Sequence, residues 1–557
     1  MINSLLFFRN EDLKARNAFA EDGLAKKECP PTTYVSNMGK PCIVTLFDEY
    51  KFDDFNLRSF NYSPICAGPW SKVVFEGNFN VTQGIQFDRT VTIALGRVNI
   101  YFGTTKEPSP TSAESWKIQR NLTDYSSLFY TQQLGEIDLG NLVNSEFTGI
   151  IYGTGFLYFY PLKSGEQEPN VADRIYPLGN EAGGTVLLFN STNQLTVTFN
   201  LPSNIERVYL DVFAQSQSSD EFWYICVPSE LSDSLQSCSN TAFRETEISI
   251  NEQPAGVAPI FPWIYTGAID PDLWTPITAV QTLNFQPYRV NLTPFAGVLS
   301  NDKQSHQVSL RVYNCQDHFS VVASLLVYLD HGSRNVTGSV VKNDIGLTKP
   351  PAINENLTND SSGDSINATI TTTAARTFTL SGYINTSHGQ VCTTVSQTID
   401  FSNKQKFVIT PTQYIQNITQ ITNVYSITET IAGIAGNKHH KNRVVQKFSF
   451  PLTLDYTFNA LSDTILQQIV TVKQTYKTAT KSGNNKICLS DTVKTTDTSI
   501  FNGSSVDHYN RMSYEYSTFT VNGKCKSNLI TSTNGHINSK RMLLSKKLRF
   551  HANNTME

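Results

Sequence analysis

The chain has 557 residues, a formal net charge of −4, and 17% charged and 11% aromatic residues. One hydrophobic core serves roughly 250–300 residues, so about two to four domains are expected. Near-neutrality with no basic stripe among the aromatics excludes an electrostatic nucleic-acid binder, and no run approaches the ~18 apolar residues of a membrane span.

Abundant Thr, Ser, Asn and Val, with 33 Phe, 24 Tyr and only 5 Met, suit sheets with polar outer faces, and the fold class reads as all-β. Residues 1–40 are polar and irregular, with a short helix expected over Glu11–Ala20. The apolar patch Leu5-Leu6-Phe7-Phe8 is too short for the core of a signal peptide, so the true start is expected upstream. From Val44 onward the hydrophobic period is two. Val91, Ile93 and Leu95, then Val98, Ile100 and Phe102, flank Gly96-Arg97 and predict a strand pair. The run 147–162 reads as one strand buried on both faces, or as two strands joined at Gly153 and Gly155. Lys163 to Gly183 has the composition of a linker, and alternation resumes over 194–201 and 207–214. Residues 307–330 predict a hairpin turning at Asn314-Cys315-Gln316-Asp317-His318. The segment 346–376, rich in Asn, Ser, Thr and Asp, is the clearest linker. Beyond it, 377–384, 406–409 and 444–458 read as strands, and 432–443 as an exposed loop. The basic runs 438–443 and 540–549 read as solvated loop and tail charges. No internal repeat is visible. The expected division is an irregular segment 1–40, a first domain 41–165, a second 166–345, a linker 346–376, a C-terminal β-rich domain 377–540 and a basic tail 541–557.

The nine cysteines include no C-x-x-C pair, which argues against structural zinc. Cys42 with Cys66, Cys226 with Cys238, and Cys488 with Cys525 are spaced to close local disulfides in an oxidising compartment. Thirteen Asn-x-Ser/Thr sequons fit the same compartment. The expected location is therefore secreted or in an endomembrane or vacuolar lumen.

There is no H-E-x-x-H, no G-x-S-x-G and no Walker-type phosphate loop, and the histidines are scattered. Neither a metal nor another cofactor is expected. What remains is a pair of acids set among aromatics in strand-like stretches: Asp88 in Gln86-Phe87-Asp88-Arg89, and Glu221 in Asp220-Glu221-Phe222-Trp223-Tyr224. Acids are costly to bury unless paired or used. Their separation of 133 positions is about one domain length, which allows them to face each other across a boundary. Against this stand two plainer readings: Asp88 in an ordinary ion pair with an arginine, and Glu221 facing solvent while its aromatic neighbours enter the core. Trp263, Tyr265 and Trp274, on a loop rich in Pro and Gly, read either as a platform for sugar faces or as core packing.

Several stretches resemble the peptide-N4-(N-acetyl-β-glucosaminyl)asparagine amidase A family. They are Val44-Thr45-Leu46-Phe47, Trp70-Ser71-Lys72-Val73-Val74-Phe75-Glu76-Gly77, Gln86-Phe87-Asp88-Arg89 and Asp124-Tyr125-Ser126-Ser127-Leu128. They continue through Glu221-Phe222-Trp223-Tyr224, Phe243-Arg244-Glu245, Trp263-Ile264-Tyr265-Thr266-Gly267, Leu273-Trp274 and Asn291-Leu292-Thr293-Pro294-Phe295. The resemblance covers about 42–335 and is thin beyond 345. It implies two jelly-roll-like β-sandwich domains packed side by side, followed by a further β-rich region. It also implies hydrolysis of the amide between Asn and the proximal N-acetylglucosamine of N-glycopeptides or glycoproteins. Asp88 and Glu221 would be catalytic, with Arg89, Glu107, Trp223, Arg244, Trp263, Tyr265 and Trp274 as substrate-binding candidates. Asp220 departs from the Gly- or Cys-rich approach to Glu221 that the family leads one to expect. A two-carboxylate glycoside hydrolase and a lectin-like sandwich protein are the alternatives.

Overall fold

The computed structural model describes residues 39–301, 304–360, 364–434, 438–503 and 505–545. The expected helix at Glu11–Ala20, Cys29 and most of the basic tail lie outside the described residues. The regular structure of the described residues is almost entirely strand.

The first eight strands are β1 (Cys42–Phe52), β2 (Arg58–Tyr62), β3 (Trp70–Val81) and β4 (Thr90–Leu95), then β5 (Val98–Thr104), β6 (Glu114–Asn121), β7 (Gln133–Asp138) and β8 (Ile151–Pro161). They form two four-stranded sheets, ordered β1-β8-β3-β6 and β2-β7-β4-β5. That is the strand order of a jelly roll. The predicted pair across Gly96-Arg97 is β4 and β5, joined Leu95 to Val98 by a two-residue turn with both φ angles positive. In β8 the burial alternates strictly, so it is one strand and not two, with one face only half-buried. Its glycines make room rather than a turn: a Cβ at Gly155 would lie 2.4 Å from the Phe47 ring.

The next nine strands are β9 (Arg174–Leu178), β10 (Val186–Leu188), β11 (Leu195–Phe199), β12 (Ile205–Gln217) and β13 (Glu245–Ile250), then β14 (Gln253–Pro259), β15 (Tyr288–Asn291), β16 (His306–Tyr313) and β17 (His318–Leu329). Their sheets are ordered β10-β17-β12-β15 and β11-β16-β13-β14, with β9 added beside β17. Shifted by nine strands, this repeats the first order, so the chain carries a topological repeat that leaves no sequence trace. The expected linker 163–183 contains β9. The expected hairpin 307–330 is corrected: β16 pairs with β11 and β13, while β17 pairs with β12, β10 and β9. In a jelly roll the last two strands belong to opposite sheets, so residues 314–317 cross between layers.

The two rolls lie side by side. Arg289 on β15 pairs with Asp211 on β12 (2.6 Å) and with Asp124 of the first roll (2.5 Å), and Tyr125 donates to Asp211 (2.9 Å). Burial opposes the Asp211 charge, yet the Arg289 guanidinium and the Tyr125 hydroxyl hold its carboxyl below the ordinary range. Main-chain bonds such as Phe285 N to Phe102 O (2.9 Å) extend the contact.

The remaining strands are β18 (Thr337–Asn343), β19 (Ala352–Asn359), β20 (Ile366–Thr386), β21 (Gly389–Thr410), β22 (Gln413–Ile434) and β23 (Lys438–Ala460), then β24 (Ile465–Ser482), β25 (Asn485–Asn502), β26 (Ser505–Val521), β27 (Lys524–Thr533) and β28 (His536–Ser545). They build one antiparallel 11-stranded sheet, a meander from β20 to β28 with β18 and β19 beside β20. Four of its strands have 21 to 23 residues, about 70 Å at ~3.3 Å per residue. The expected linker 346–376 thus holds β19 and the first half of β20, and the basic runs read as loop and tail over 438–443 and 540–545 are strand as well. The Asn/Ser/Thr composition that suggested a linker belongs to a sheet with one polar face. There, Thr475 pairs with Thr492 and Thr471 with Thr496. The opposite face, with Ile370, Phe378, Phe401, Phe450, Leu452 and Val472, joins the second roll in one continuous core. Cys42–Cys66 and Cys226–Cys238 are disulfides, whereas Cys488 and Cys525 are free. Both of the latter stand opposite Thr520, on either side of it, so about 10 Å of sheet separates them, beyond disulfide reach.

Candidate functional site

Asp88 lies in the connection from β3 to β4, and Glu221 in the connection from β12 to β13. Under the nine-strand shift these are the same connection in the two rolls. The same holds for Glu107, between β5 and β6, and for the segment carrying Tyr265 and Gly267, between β14 and β15. One pair of loops from each roll therefore supplies the site. Neither acid sits inside a strand: Asp88 ends an irregular stretch before β4, and residues 218–225 are short 3-10 turns.

Beyond the end of the β4–β5 pair the two chains stay together, with Thr105 N donating to Arg89 O (2.8 Å) and Arg89 N to Thr105 Oγ1 (2.8 Å). This places Asp88 beside Glu107, whose Oε2 accepts from Asp88 N (3.2 Å). Gln86 is buried and fixed to Leu142 O (2.7 Å), and its Oε1 accepts from Arg89 (2.6 Å). Arg89 also lies over the Phe87 ring. The second roll closes on this pair: Gly267 N donates to Asp88 Oδ2 (2.9 Å), while Thr266 Oγ1 donates to Thr105 O (2.8 Å). A Cβ on Gly267 would stand 2.6 Å from Glu107 Oε2 and 3.0 Å from Asp88 Oδ1, so only glycine lets the backbone approach both carboxyls.

Glu221 is half-buried at the end of a 3-10 turn, its N–H donating to Ser218 O (3.0 Å). The Tyr265 hydroxyl donates to Ser216 O. Burial, then the Glu221 charge, pushes the Tyr265 hydroxyl far above its ordinary range, with Asp88 adding to the effect. Both acids thus act on one phenol, in the residue pair next to Gly267. Burial and Glu221 also raise Tyr224. Gln215 and Gln217 at the end of β12 donate to Thr90 Oγ1 (3.1 and 3.5 Å), tying the approach to Glu221 to the strand after Asp88.

The residue that sequence reasoning missed is Asp220. It is fully buried, and its Oδ2 accepts the N–H groups of Gln316 and Asp317 (2.8 Å each), while Oδ1 meets Arg244 (2.9 and 3.0 Å). Arg244 Nη1 donates to the carbonyls of Asn240, Thr241 and Phe243. This ties the Glu221 turn to the crossover between β16 and β17. Burial and the Asp220 charge push the neighbouring Cys315 thiol up to about 12, so it stays protonated. Arg244 is therefore occupied by Asp220, and the expectation that it holds the acid pair or a glycan is corrected. The sugar platform is corrected too: Trp263, Tyr265 and Trp274 are at most 5% exposed, and Trp223, the other aromatic substrate-binding candidate, is buried as well. Trp263 packs on Phe285, and Trp274 Nε1 donates to Ala268 O (2.8 Å). Their loop runs beneath the C-terminal sheet, where Gln474 donates to Pro262 O and Thr495 to Leu273 O. Among the described residues, no group of three or more His, Cys, Asp or Glu is placed to hold a metal ion.

Residues 36–345 match the profile of the family described as peptide N-acetyl-β-D-glucosaminyl asparaginase amidase A. The chain belongs to this family. The match spans both rolls and β18 and stops before the rest of the C-terminal sheet. A curated member, peptide-N4-(N-acetyl-β-glucosaminyl)asparagine amidase A of Prunus dulcis, is 30% identical over 365 residues, which are 62% of this chain and 62% of the almond protein. Two solved structures overlap 52% of the chain. The glycosylasparaginase PNGase F of Flavobacterium meningosepticum does so at 13% identity, TM-score 0.36, with 96% of its own chain covered. PNGF-II does so at 10% identity, TM-score 0.37, with 66% covered.

Proposed function

We propose that the protein hydrolyses the amide joining an Asn side chain to the first N-acetylglucosamine of N-linked glycopeptides and glycoproteins. Membership of the amidase A family supports the reaction class. The observation that carries the site is the convergence of matching loops from both rolls, where Gly267 N holds Asp88 and the charges of Glu221 and Asp88 both act on the Tyr265 hydroxyl.

An amide is a poor electrophile with a poor leaving group, so water must be positioned and a proton delivered. Asp88, oriented by the Gly267 N–H, takes the proton as the water oxygen bonds to the side-chain carbonyl carbon. Glu221 polarises the amide and delivers a proton to its nitrogen as the C–N bond breaks. Asn becomes Asp, and the released glycosylamine takes up a second water and loses ammonia. Positioned acid–base groups of this kind contribute typically ~10²–10⁴-fold each. Glu107, beside Asp88, and Arg89 line the approach as substrate-binding residues. The disulfides Cys42–Cys66 and Cys226–Cys238 favour an oxidising location, secreted or in an endomembrane lumen.

The test is mass spectrometry of a defined N-glycopeptide after incubation in oxygen-18 water. Whole-glycan release with labelled Asp is expected. A peptide retaining one sugar would replace this reading with a glycosidase, and an unchanged glycopeptide would remove it.

A further inference from the structure

Among the amide side chains buried on the inner face of the C-terminal sheet are Asn403 and Gln405 (0% exposed), Gln474 (1%) and Gln416 (4%). A sheet that only had to cover apolar surface would place Val or Ile there, because a buried amide costs free energy unless its donors are used. In these four they are used on backbone carbonyls of the second roll. Asn403 Nδ2 donates to Tyr224 O (2.8 Å), Gln416 Nε2 to Ile225 O (3.2 Å) and Gln405 Nε2 to Cys226 O (2.8 Å), three consecutive carbonyls just after Glu221. Gln474 clips the other loop at both ends. Its Nε2 donates to Pro262 O (2.6 Å), and its Oε1 accepts from Val280 N (2.9 Å). Between these ends, Thr495 donates to Leu273 O (2.9 Å) and Arg511 to Thr275 O (2.9 Å). Both segments lack a strand partner; the buried carbonyls of Tyr224, Cys226 and Pro262 would otherwise go unpaired, while Ile225 O also accepts from Ser237 Oγ (2.8 Å).

We infer that the C-terminal sheet positions the active site, with Asn403, Gln405, Gln416 and Gln474 holding the backbone of the two loops that present Glu221 and Gly267. They are positioning residues, because they act through main chain and not on substrate. The inference rests on the assignment of Asp88 and Glu221 above. It gives the region beyond the family match a task in catalysis.

Gln474→Glu and Gln405→Glu test it without changing side-chain size. Each keeps its acceptor, for Val280 N and for Gln416 Nε2 respectively. Each donates to its carbonyl only while the new carboxyl is protonated, and burial favours that form in acid. Glycan release is read as kcat and KM against pH, below the melting temperature and with folding verified at each pH. Expected is a kcat close to the parent's in acid that falls ~10-fold or more relative to it toward neutrality, as for one lost buried hydrogen bond, with KM nearly constant. Thr475→Ala, on the same strand but the opposite face, should follow the parent throughout. Folded Gln474→Glu and Gln405→Glu proteins with the parent's profile would overturn the inference while leaving the site intact. Full activity of Asp88→Asn and Glu221→Gln would instead remove the site reading beneath it.

Discussion

At the scale of residues, the site depends on contacts that leave little room. Gly267→Ala would force Glu107 Oε2, the mobile end of a side chain, away from a Cβ at 2.6 Å. Stability should change little, whereas glycan release should fall ~100-fold, since small misplacements of reacting groups cost that much. Melting temperature and kcat on the same samples check both halves. Asp220→Ala acts in the opposite way, leaving Arg244 charged and buried without its partner. A loss of about 3–5 kcal/mol in unfolding free energy is expected from denaturant titration. Asp88 and Glu221 stand out in the sequence as candidates because carboxylates among aromatics are costly unless paired or used. The tasks of Asp220 and Arg244 were not legible there, because their pairing spans 24 residues and their neighbours come from the β16–β17 crossover. Nor was the burial of Trp263 and Trp274, since a Pro/Gly loop reads the same whether it is open or covered.

At the scale of elements, period-two alternation located strands well and pairing poorly. β4 and β5 meet through a two-residue turn, so local sequence specifies their partnership. β16 and β17 have the same sequence signature yet join different sheets. The difference is set by the jelly-roll layers, which no short window contains. Composition misled over 346–376 for a related reason. Thr and Ser that line the polar face of a sheet look like linker residues until their hydroxyl ladders are seen.

At the scale of the whole molecule, the C-terminal sheet docks on the loop after Gly267 through a charged cluster. His508 bridges Asp497 (2.7 Å) and Asp272 (3.2 Å), Arg511 meets Asp272 (3.2 Å), and Gln468 and Ser499 donate to Asp270. Burial, then the Asp272 and Asp497 charges, pushes Asp270 up to about 6. Burial opposes the His508 charge, but hydrogen bonds to Asp272 and Asp497 push it up to about 10. Both shifts are upward, so both contributions are fully present in acid. That of Asp270 is lost as pH rises through about 6, and that of His508 as pH rises through about 10. The melting temperature should therefore decline from about pH 4 to pH 7, and Asp270→Asn should flatten that decline. An unchanged slope would show that Asp270 titrates alike in the folded and unfolded chains.

The central claim is that the acids of the two rolls carry the hydrolysis together. Its most direct measurement is glycan release from one N-glycopeptide by the parent, Asp88→Asn and Glu221→Gln, with glycopeptide binding and melting temperature recorded alongside. Each variant is expected to lose at least ~10²-fold in kcat while folding and binding persist. Release at the parent's rate by either variant would contradict it.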